Sequence, residues 1–275
     1  MRAVVFGRQV ASELLKARRR SLFISTFIAQ IAFAVFPAVI GFWTVRGKFA
    51  PDYALTWVTF PHCLWSVVRI SQYVFPIIVG IIAAGSMGGE YASGTWKMIL
   101  PRVGVRTSVL FAKFLASMGV AMVGLWCTVA LGVCSGFLGA TLMGVPFLGD
   151  TSGLWGELVR AQAFFLVEIL FVCAFATLMV VLTRSFVGGV VLGSLGQFLL
   201  PFAAFLPFGW VYPGANLQAL EKILLTEGRF KQGEMESVLG GALHPGRSFA
   251  CVMAFTVVFM GVALWLFARR DMVSE

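Results

Sequence analysis

Charged side chains are scarce in this chain: Asp, Glu, Lys and Arg together fill only 12% of its 275 positions. In soluble globular proteins these four residues average about 25%. Hydrophobic residues take up 59% of the chain instead. Because a soluble core cannot bury so large an apolar share, this composition excludes an ordinary soluble domain and indicates an integral membrane protein.

Metal-binding and disulfide patterns are also missing. The only histidines are His62 and His244, and they lie far apart. No pair of cysteines has the CxxC spacing of a metal or redox site; the five are Cys63, Cys127, Cys134, Cys173 and Cys251. The sequence therefore predicts no metal site and no disulfide framework.

A nucleotide-binding loop is absent as well. A P-loop needs G-x4-G-K-[ST], because its backbone amides hold phosphate and its hydroxyl holds Mg²⁺. Gly47-Lys48-Phe49 lacks the hydroxyl, and we expect neither a catalytic residue nor a bound cofactor in this chain. An integral-membrane enzyme would need converging His, Asp or metal ligands at one membrane face, and the sequence shows none.

Long uncharged runs organise the chain, and each supplies the roughly 20 residues that a membrane-spanning helix needs. The runs are Ser21–Val45, Ile70–Gly89, Phe114–Gly149, Ala161–Thr183 (interrupted by Glu168), Ser185–Leu220 and Ser248–Ala268. The alternating ten-residue strands of a membrane barrel are not evident. The sequence thus predicts an all-α membrane protein in which residues 1–275 form one transmembrane domain of six helices.

The basic residues predict the orientation of these helices. With both termini in the cytoplasm, the inner segments carry 13 basic and four acidic residues, or +9, and the outer segments eight basic and seven acidic, or +1. This asymmetry follows the positive-inside rule. The net charge of +9 therefore indicates topology and attraction to anionic lipid. It is not evidence for nucleic-acid binding.

Residues 2–19 have the pattern of an amphipathic helix that precedes the first span. Apolar residues recur at helical spacing, whereas polar and basic residues follow another face; the apolar set is Ala3, Phe6, Val10, Leu14 and Ala17, and the polar set is Arg8, Ser12, Lys16 and Arg19. Such a helix is typical of the inner membrane interface. The alternative is an ordinary basic tail.

Three connections follow from the same pattern. Residues 46–69 are predicted to form an outer loop, and Arg184-Ser185 a tight inner hairpin between the fourth and fifth spans. Residues 209–247 are predicted to form the outer loop between the last two spans, with a short helix near Asn216–Leu225.

Glycine pairs at four-residue spacing favour close helix packing within the chain; they are Gly85/Gly89, Gly132/Gly136 and Gly189/Gly193.

The connection between the second and third spans has the most specific sequence. It reads Gly88-Gly89-Glu90-Tyr91-Ala92-Ser93-Gly94-Thr95-Trp96-Lys97-Met98-Ile99-Leu100-Pro101, followed by Arg102, Arg106 and Lys113. Gly94 suits a helix break, Thr95 an N-cap and Pro101 the end of the next turn. We expect Trp96, Met98, Ile99 and Leu100 to offer an apolar surface to a partner. An ordinary inner loop would explain the basic residues but not Glu90, Gly94-Thr95 and Pro101 at these spacings.

This segment resembles the cytoplasmic coupling segment of type-2 ABC exporter permeases, in which Glu and an aromatic residue lead into Gly-Thr and then Leu, Pro, Arg and Lys. The resemblance implies a coupling helix within residues 88–104 and a role for the residues of the motif in contacting a separate ATPase subunit. Those residues are Glu90, Gly94, Thr95, Trp96, Lys97, Pro101 and Arg102. In the same family an interfacial helix like 2–19 forms part of the platform for the ATPase.

The resemblance also implies the partners. The chain would be half of a translocation pathway in a bacterial or archaeal plasma membrane, joined by a second permease (identical or related) and by two ATPase copies that bind ATP and Mg²⁺. The favoured substrates are antimicrobial peptides or lipophilic drugs. The alternatives are a lipid or polysaccharide exporter subunit and a non-transporting regulator or receptor.

Glu168 is the only formal charge within a predicted span. An ionisable residue at this depth is expensive and marks a functional site by default. Two interpretations stay open: a neutral acid hydrogen-bonded between helices, or a residue that lines the pathway and meets a cationic substrate.

Overall fold

The structure, a computed structural model, describes residues 2–19, 21–46, 58–99, 105–149, 151, 154–199, 211–225 and 245–269. Within these ranges the regular structure is helical, and the one isolated β-bridge joins Phe60 to Leu148. The prediction of an all-α protein is confirmed for this part of the chain. Pro101 and Arg102 lie outside the described residues.

The helices follow the predicted order along the chain. They are α1 (Arg2–Arg19), α2 (Ser21–Arg46), α3 (His62–Ala92), α4 (Trp96–Ile99), α5 (Arg106–Met143), α6 (Leu154–Thr183), α7 (Phe186–Leu199), α8 (Pro213–Leu225) and α9 (Pro245–Arg269). The short helix expected in the last connection is therefore present as α8, and a single helical turn, α4, follows α3.

Four of these helices are long and apolar enough to cross a membrane, counting only what the structure describes. They are Val74–Ala92 of α3, and α5, α6 and α9 over their full lengths. The protein is accordingly a multi-pass membrane protein. The count of six spans stays a prediction, because the described apolar part of α2, Ile24–Phe36, and the 14 residues of α7 are shorter than a span of about 20 residues.

The start of α3 differs from the prediction. Residues 46–69 were expected to form a loop, but α3 begins at His62, directly after Pro61. The apolar residues Cys63, Leu64, Val67 and Val68 are buried in its first turns. The uncharged run begins only after Arg69, so the sequence placed the start of the span there. The helix nevertheless continues through Arg69, and the residues before it are packed. Cys63, expected in a loop, is only 1% exposed.

By its contacts the chain divides into two units. The first comprises the described residues within 1–20, 76–121 and 159–275, and the second those within 21–75 and 122–158. In the second unit, α5 lies against the first half of α3 at Gly132 and Gly136. A Cβ atom at Gly132 would come within 2.4 Å of Val67, and one at Gly136 within 2.8 Å of Cys63. This glycine pair therefore packs helices within the chain, as predicted.

The first unit contains the tight hairpin expected between the fourth and fifth spans. Helix α6 ends at Thr183 and α7 begins at Phe186, so only Arg184 and Ser185 separate them. A Cβ atom added at Gly189 would lie 2.2 Å from a Val180 methyl group. Glycine at this position lets α7 turn back directly onto α6, and the predicted hairpin is confirmed.

Candidate functional site

The break between α3 and α4 is made by Gly94. Its φ of 64° is the left-handed conformation, which residues with a Cβ adopt only at a cost of about 1–2 kcal/mol. The Gly94 amide donates to the Tyr91 carbonyl at 3.2 Å, and the Gly94 carbonyl accepts from the Lys97 amide at 3.2 Å. The Thr95 hydroxyl donates to the Glu90 carbonyl at 3.4 Å. These bonds fix α4 against the end of α3.

Four charged side chains from three helices meet next to this turn, and we call them the ionic cluster: Glu13 and Lys16 of α1, Glu90 of α3 and Lys113 of α5. Lys113 Nζ donates to Glu90 Oε1 at 2.7 Å and to Glu13 Oε2 at 2.5 Å. Lys16 Nζ lies 2.6 Å from Glu13 Oε1 and 3.9 Å from Glu90 Oε1. The cluster has two positive and two negative groups and is therefore neutral.

The ionic cluster matters for stability because its charged groups are withdrawn from water. The Lys113 side chain is fully buried and that of Glu90 is 5% exposed. An ion withdrawn from water is tolerated only with close partners, and removing one partner of a buried pair costs about 3–5 kcal/mol. Burial raises the pKa of Glu13, but the charge of Lys113 and the hydrogen bonds from Lys113 and Lys16 outweigh it, so the pKa of Glu13 lies below its usual value. Glu13 is thus held in its charged form.

Helix α1 contacts α5 at further points along the same face. The Phe6 and Phe111 rings stack with centroids 6.0 Å apart, and the Ser108 hydroxyl donates to Gln9 Oε1 at 2.8 Å. Phe6, Gln9 and Glu13 recur at spacings of three and four, which places them on one side of the helix. Helix α1 is therefore attached to the N-terminal turns of α5 by a ring stack, a hydrogen bond and an ion pair.

Trp96 faces into the protein. It is 2% exposed, and its ring lies 5.7 Å from that of Tyr91 and 5.0 Å, edge to face, from that of Phe267 in α9. Lys113 Nζ is 5.5 Å from its ring centroid, within the range of a cation–π contact. The expectation that Trp96 belongs to an exposed apolar surface does not match this position.

The outer side of the turn presents a different set of residues. Met98 is 61% exposed, and Gly94 and Lys97 are also exposed, whereas Glu90 is buried. Since each helical residue advances by about 100°, Trp96 and Met98 point in nearly opposite directions. The motif therefore separates into a buried part, Glu90 and Trp96, and an exposed part: Gly94, Lys97 and Met98.

Glu168 lies where the sequence placed it, inside α6, and is 5% exposed. Its Oε2 atom has no hydrogen-bond partner among the described residues. Across those same residues, no group of three or more His, Cys, Asp or Glu side chains is arranged to hold a metal ion.

Sequence reasoning missed three residues of this site: Glu13, Lys16 and Phe267. Glu13 did carry a signal, because it is the only acidic residue among the first 50. Lys113 was noted as part of the motif, but nothing in the sequence shows that it lies between two carboxylates. Phe267 is one of 27 phenylalanines, and no sequence pattern distinguishes it.

Comparison with known proteins identifies the family to which this helical membrane protein belongs. Residues 9–200 match the family model described as ABC-2 family transporter protein. The match includes α1 from Gln9 onward, the turn at Gly94 and α4, Lys113 and Glu168. A comparison with curated protein sequences found no match. Because the family model covers more than half of the chain, the protein belongs to the ABC-2 transporter family.

Proposed function

We propose that this protein is the membrane permease subunit of an ATP-driven exporter. Its exposed residues Gly94, Lys97 and Met98, which we call the docking face, bind a separate ATPase subunit. The observation that carries the proposal is the two-sided turn at α4. One side is fixed by the ionic cluster and by Trp96, and the other presents Gly94, Lys97 and Met98 to solvent. A short rigid element with an exposed apolar residue suits transmission of force from a partner.

The orientation that goes with this function has both termini and α4 in the cytoplasm of a bacterium or archaeon. The split of +9 against +1 supports it. Helix α1 then lies in the inner interface, where Leu14 (40% exposed) and Leu15 (63% exposed) enter the lipid headgroup layer and the basic residues meet anionic lipid.

The assembly we propose has two permeases, identical or related, and two ATPase copies that bind ATP and Mg²⁺. Each permease supplies half of the pathway, and the favoured substrates are antimicrobial peptides or lipophilic drugs. The support is the family membership, because an ABC-2 permease normally works with an ABC ATPase.

The ATPase contact is tested by co-purification of the tagged chain with an ABC ATPase subunit from the same cells. Met98→Asp puts a charge on the docking face and should abolish co-purification and stimulated ATP hydrolysis while membrane insertion is unchanged. Leu148→Asp, at a residue 73% exposed on the Phe60 bridge, is the matched control and should bind normally. Full ATPase binding by Met98→Asp would remove the docking face from the proposal.

The orientation is tested with cysteines at two exposed positions, Ser93 and Leu148. In intact cells an impermeant maleimide should label Leu148→Cys, and it should label Ser93→Cys only after permeabilisation. The reverse pattern would overturn the assigned sides. Export itself is tested by survival of cells challenged with a panel of peptides and lipophilic dyes, with and without the Met98→Asp change.

A further inference from the structure

Helix α9 is attached to the rest of its unit along one narrow stripe. Its buried residues recur at spacings of three and four: Ser248, Val252, Thr256, Met260, Ala263 and Phe267. Exposed apolar residues lie outside this stripe; they are Phe249, Val257, Val258, Val262 and Trp265. A helix held along one edge and surrounded by lipid elsewhere is free to tilt further than a helix enclosed on all sides.

One end of this stripe meets the turn formed by Gly94 and α4, which we call the coupling turn. Phe267 is fully buried, and its ring contacts that of Trp96 edge to face. Aromatic pairs with this geometry contribute about 0.5–1.5 kcal/mol beyond the burial of their area. Trp96 belongs to α4 and also lies against Tyr91 and Lys113. A displacement of α4 therefore moves the Trp96 ring against Phe267, at the end of α9.

The other end of α9 meets α8, and the two helices pack together. Asn216 Nδ2 of α8 donates to Cys251 Sγ at 3.3 Å, and the Cys251 thiol donates to the Val211 carbonyl at 3.3 Å. Asn216 is fully buried. From Cys251 to Phe267 is 16 residues, or about 24 Å of helix, so α9 connects α4 with α8 over most of the length of a membrane span.

A third contact lies midway between these ends. The Phe259 ring is 5.8 Å from that of Phe171 and 5.4 Å from that of Phe175, both on α6. Phe259 is eight residues from Cys251 and eight from Phe267, or about 12 Å from each. Helix α6 therefore supports α9 at its midpoint.

We infer that α9 is a lever: it pivots on α6 at Phe259 and carries movement of the coupling turn to α8. Phe267 is the positioning residue that joins the lever to Trp96. The inference rests on the proposed function, because binding of the ATPase supplies the displacement of α4. It adds that the last helix, and not only the two helices flanking the turn, transmits that displacement across the membrane.

The test measures whether α8 responds to nucleotide. A cysteine at Gln218, a half-buried residue of α8, is labelled with maleimide in the complex with the co-purified ATPase, with and without a non-hydrolysable ATP analogue. The same complex without the Gln218 change gives the background from native cysteines. With Phe267 intact, the analogue should change the labelling rate. In Phe267→Ala the change should be lost, while the ATPase still binds.

Three companion variants separate transmission from damage to the fold. Phe267→Tyr keeps the ring and should restore the response, and Phe267→Leu keeps apolar volume without the ring and should not. Phe249→Ala removes the same ring from an exposed position of α9 and should respond normally. If Phe267→Ala does not accumulate, Phe267→Leu takes its place.

The outcomes distinguish the two proposals. If an ATPase binds and the analogue changes Gln218 labelling equally in Phe267→Ala, or changes it in no variant, the lever is overturned and the permease function stands. If no ATPase co-purifies even with the unchanged docking face, the proposed function fails and the lever fails with it.

Discussion

Glu90 and Glu168 are buried almost equally, at 4% and 5% exposure, but their surroundings are opposite. Glu90 has the ammonium of Lys113 at 2.7 Å and that of Lys16 at 3.9 Å. Among the described residues, the ion pairs within 4 Å do not include Glu168.

The difference shows what each carboxylate contributes. A buried ion pair is weak evidence for stability in itself, but removing one partner is strongly destabilising. Glu90 therefore holds α3, α5 and α1 in one arrangement. Glu168 fixes no neighbour in this way, and an uncompensated charge in hydrocarbon costs at least about 2.5 kcal/mol. We therefore expect the protein to depend on the charge of Glu90 and not on that of Glu168 for its fold.

The largest effect is expected from Lys113→Met, which leaves the buried Glu90 without its nearest cation and Glu13 with Lys16 alone. The loss should be about 3–5 kcal/mol of unfolding free energy, measured by thermal unfolding in detergent. Adding Glu90→Gln should recover part of it, because the orphaned charge of Glu90 is removed.

Lys97→Met serves as the control for this variant, since Lys97 is exposed and its loss should change stability by less than about 0.5 kcal/mol. Equal effects of Lys97→Met and Lys113→Met would contradict the ionic cluster as the source of stability.

A smaller effect is expected from replacing Glu13, the second carboxylate that Lys113 contacts. Glu13→Gln should cost about 1 kcal/mol, a value discounted because solvent reaches this residue. It should expose α1 to limited proteolysis, and the Arg8→Gln variant at an exposed position should not.

The attachment of α1 should also depend on pH, and it should weaken in acid. The pKa of Glu13 is lowered in the folded protein, so its contribution is complete at neutral pH and is lost as the pH falls through that lowered value. Proteolysis of α1 should therefore increase only in acid. An increase on raising the pH from neutral would contradict the assignment.

Glu168→Leu should have a smaller effect still, about 1 kcal/mol or less, the scale of one interhelical polar contact in a membrane. Melting temperature and protein amount provide the measurement. A loss as large as that of Lys113→Met would mean that Glu168 holds helices together as firmly as Glu90, and the contrast between the two would disappear.

Glu168→Gln should have the smallest effect, because it keeps the shape and removes a charge that no described neighbour compensates. Stability and transport should both be preserved. Selective loss of transport for cationic compounds, with neutral compounds and protein amount unchanged, would place Glu168 in the pathway. Glu90→Gln, made in parallel, should reduce stability. That result would show that a Glu-to-Gln substitution is detected where the carboxylate has a cationic partner.

The sequence by itself indicated the all-helical class, the two-residue turn at Arg184-Ser185 and the break at Gly94. These depend on local properties: runs of apolar residues and a backbone position that suits glycine. The start of α3 was misplaced because packing, and not the length of an uncharged run, decides whether residues 62–69 are helical.

Only the tertiary structure decided which side of the turn at Gly94 and α4 is buried and what compensates the neighbouring charges. Lys113 lies 23 residues from Glu90 and 100 from Glu13, and Trp96 meets Phe267 from the far end of the chain. A helical pattern shows which residues share a face but not which helix will cover that face. That choice depends on how all the helices pack together. The sequence identified Glu90 and Trp96 as members of a motif, and only the packing shows that both are buried.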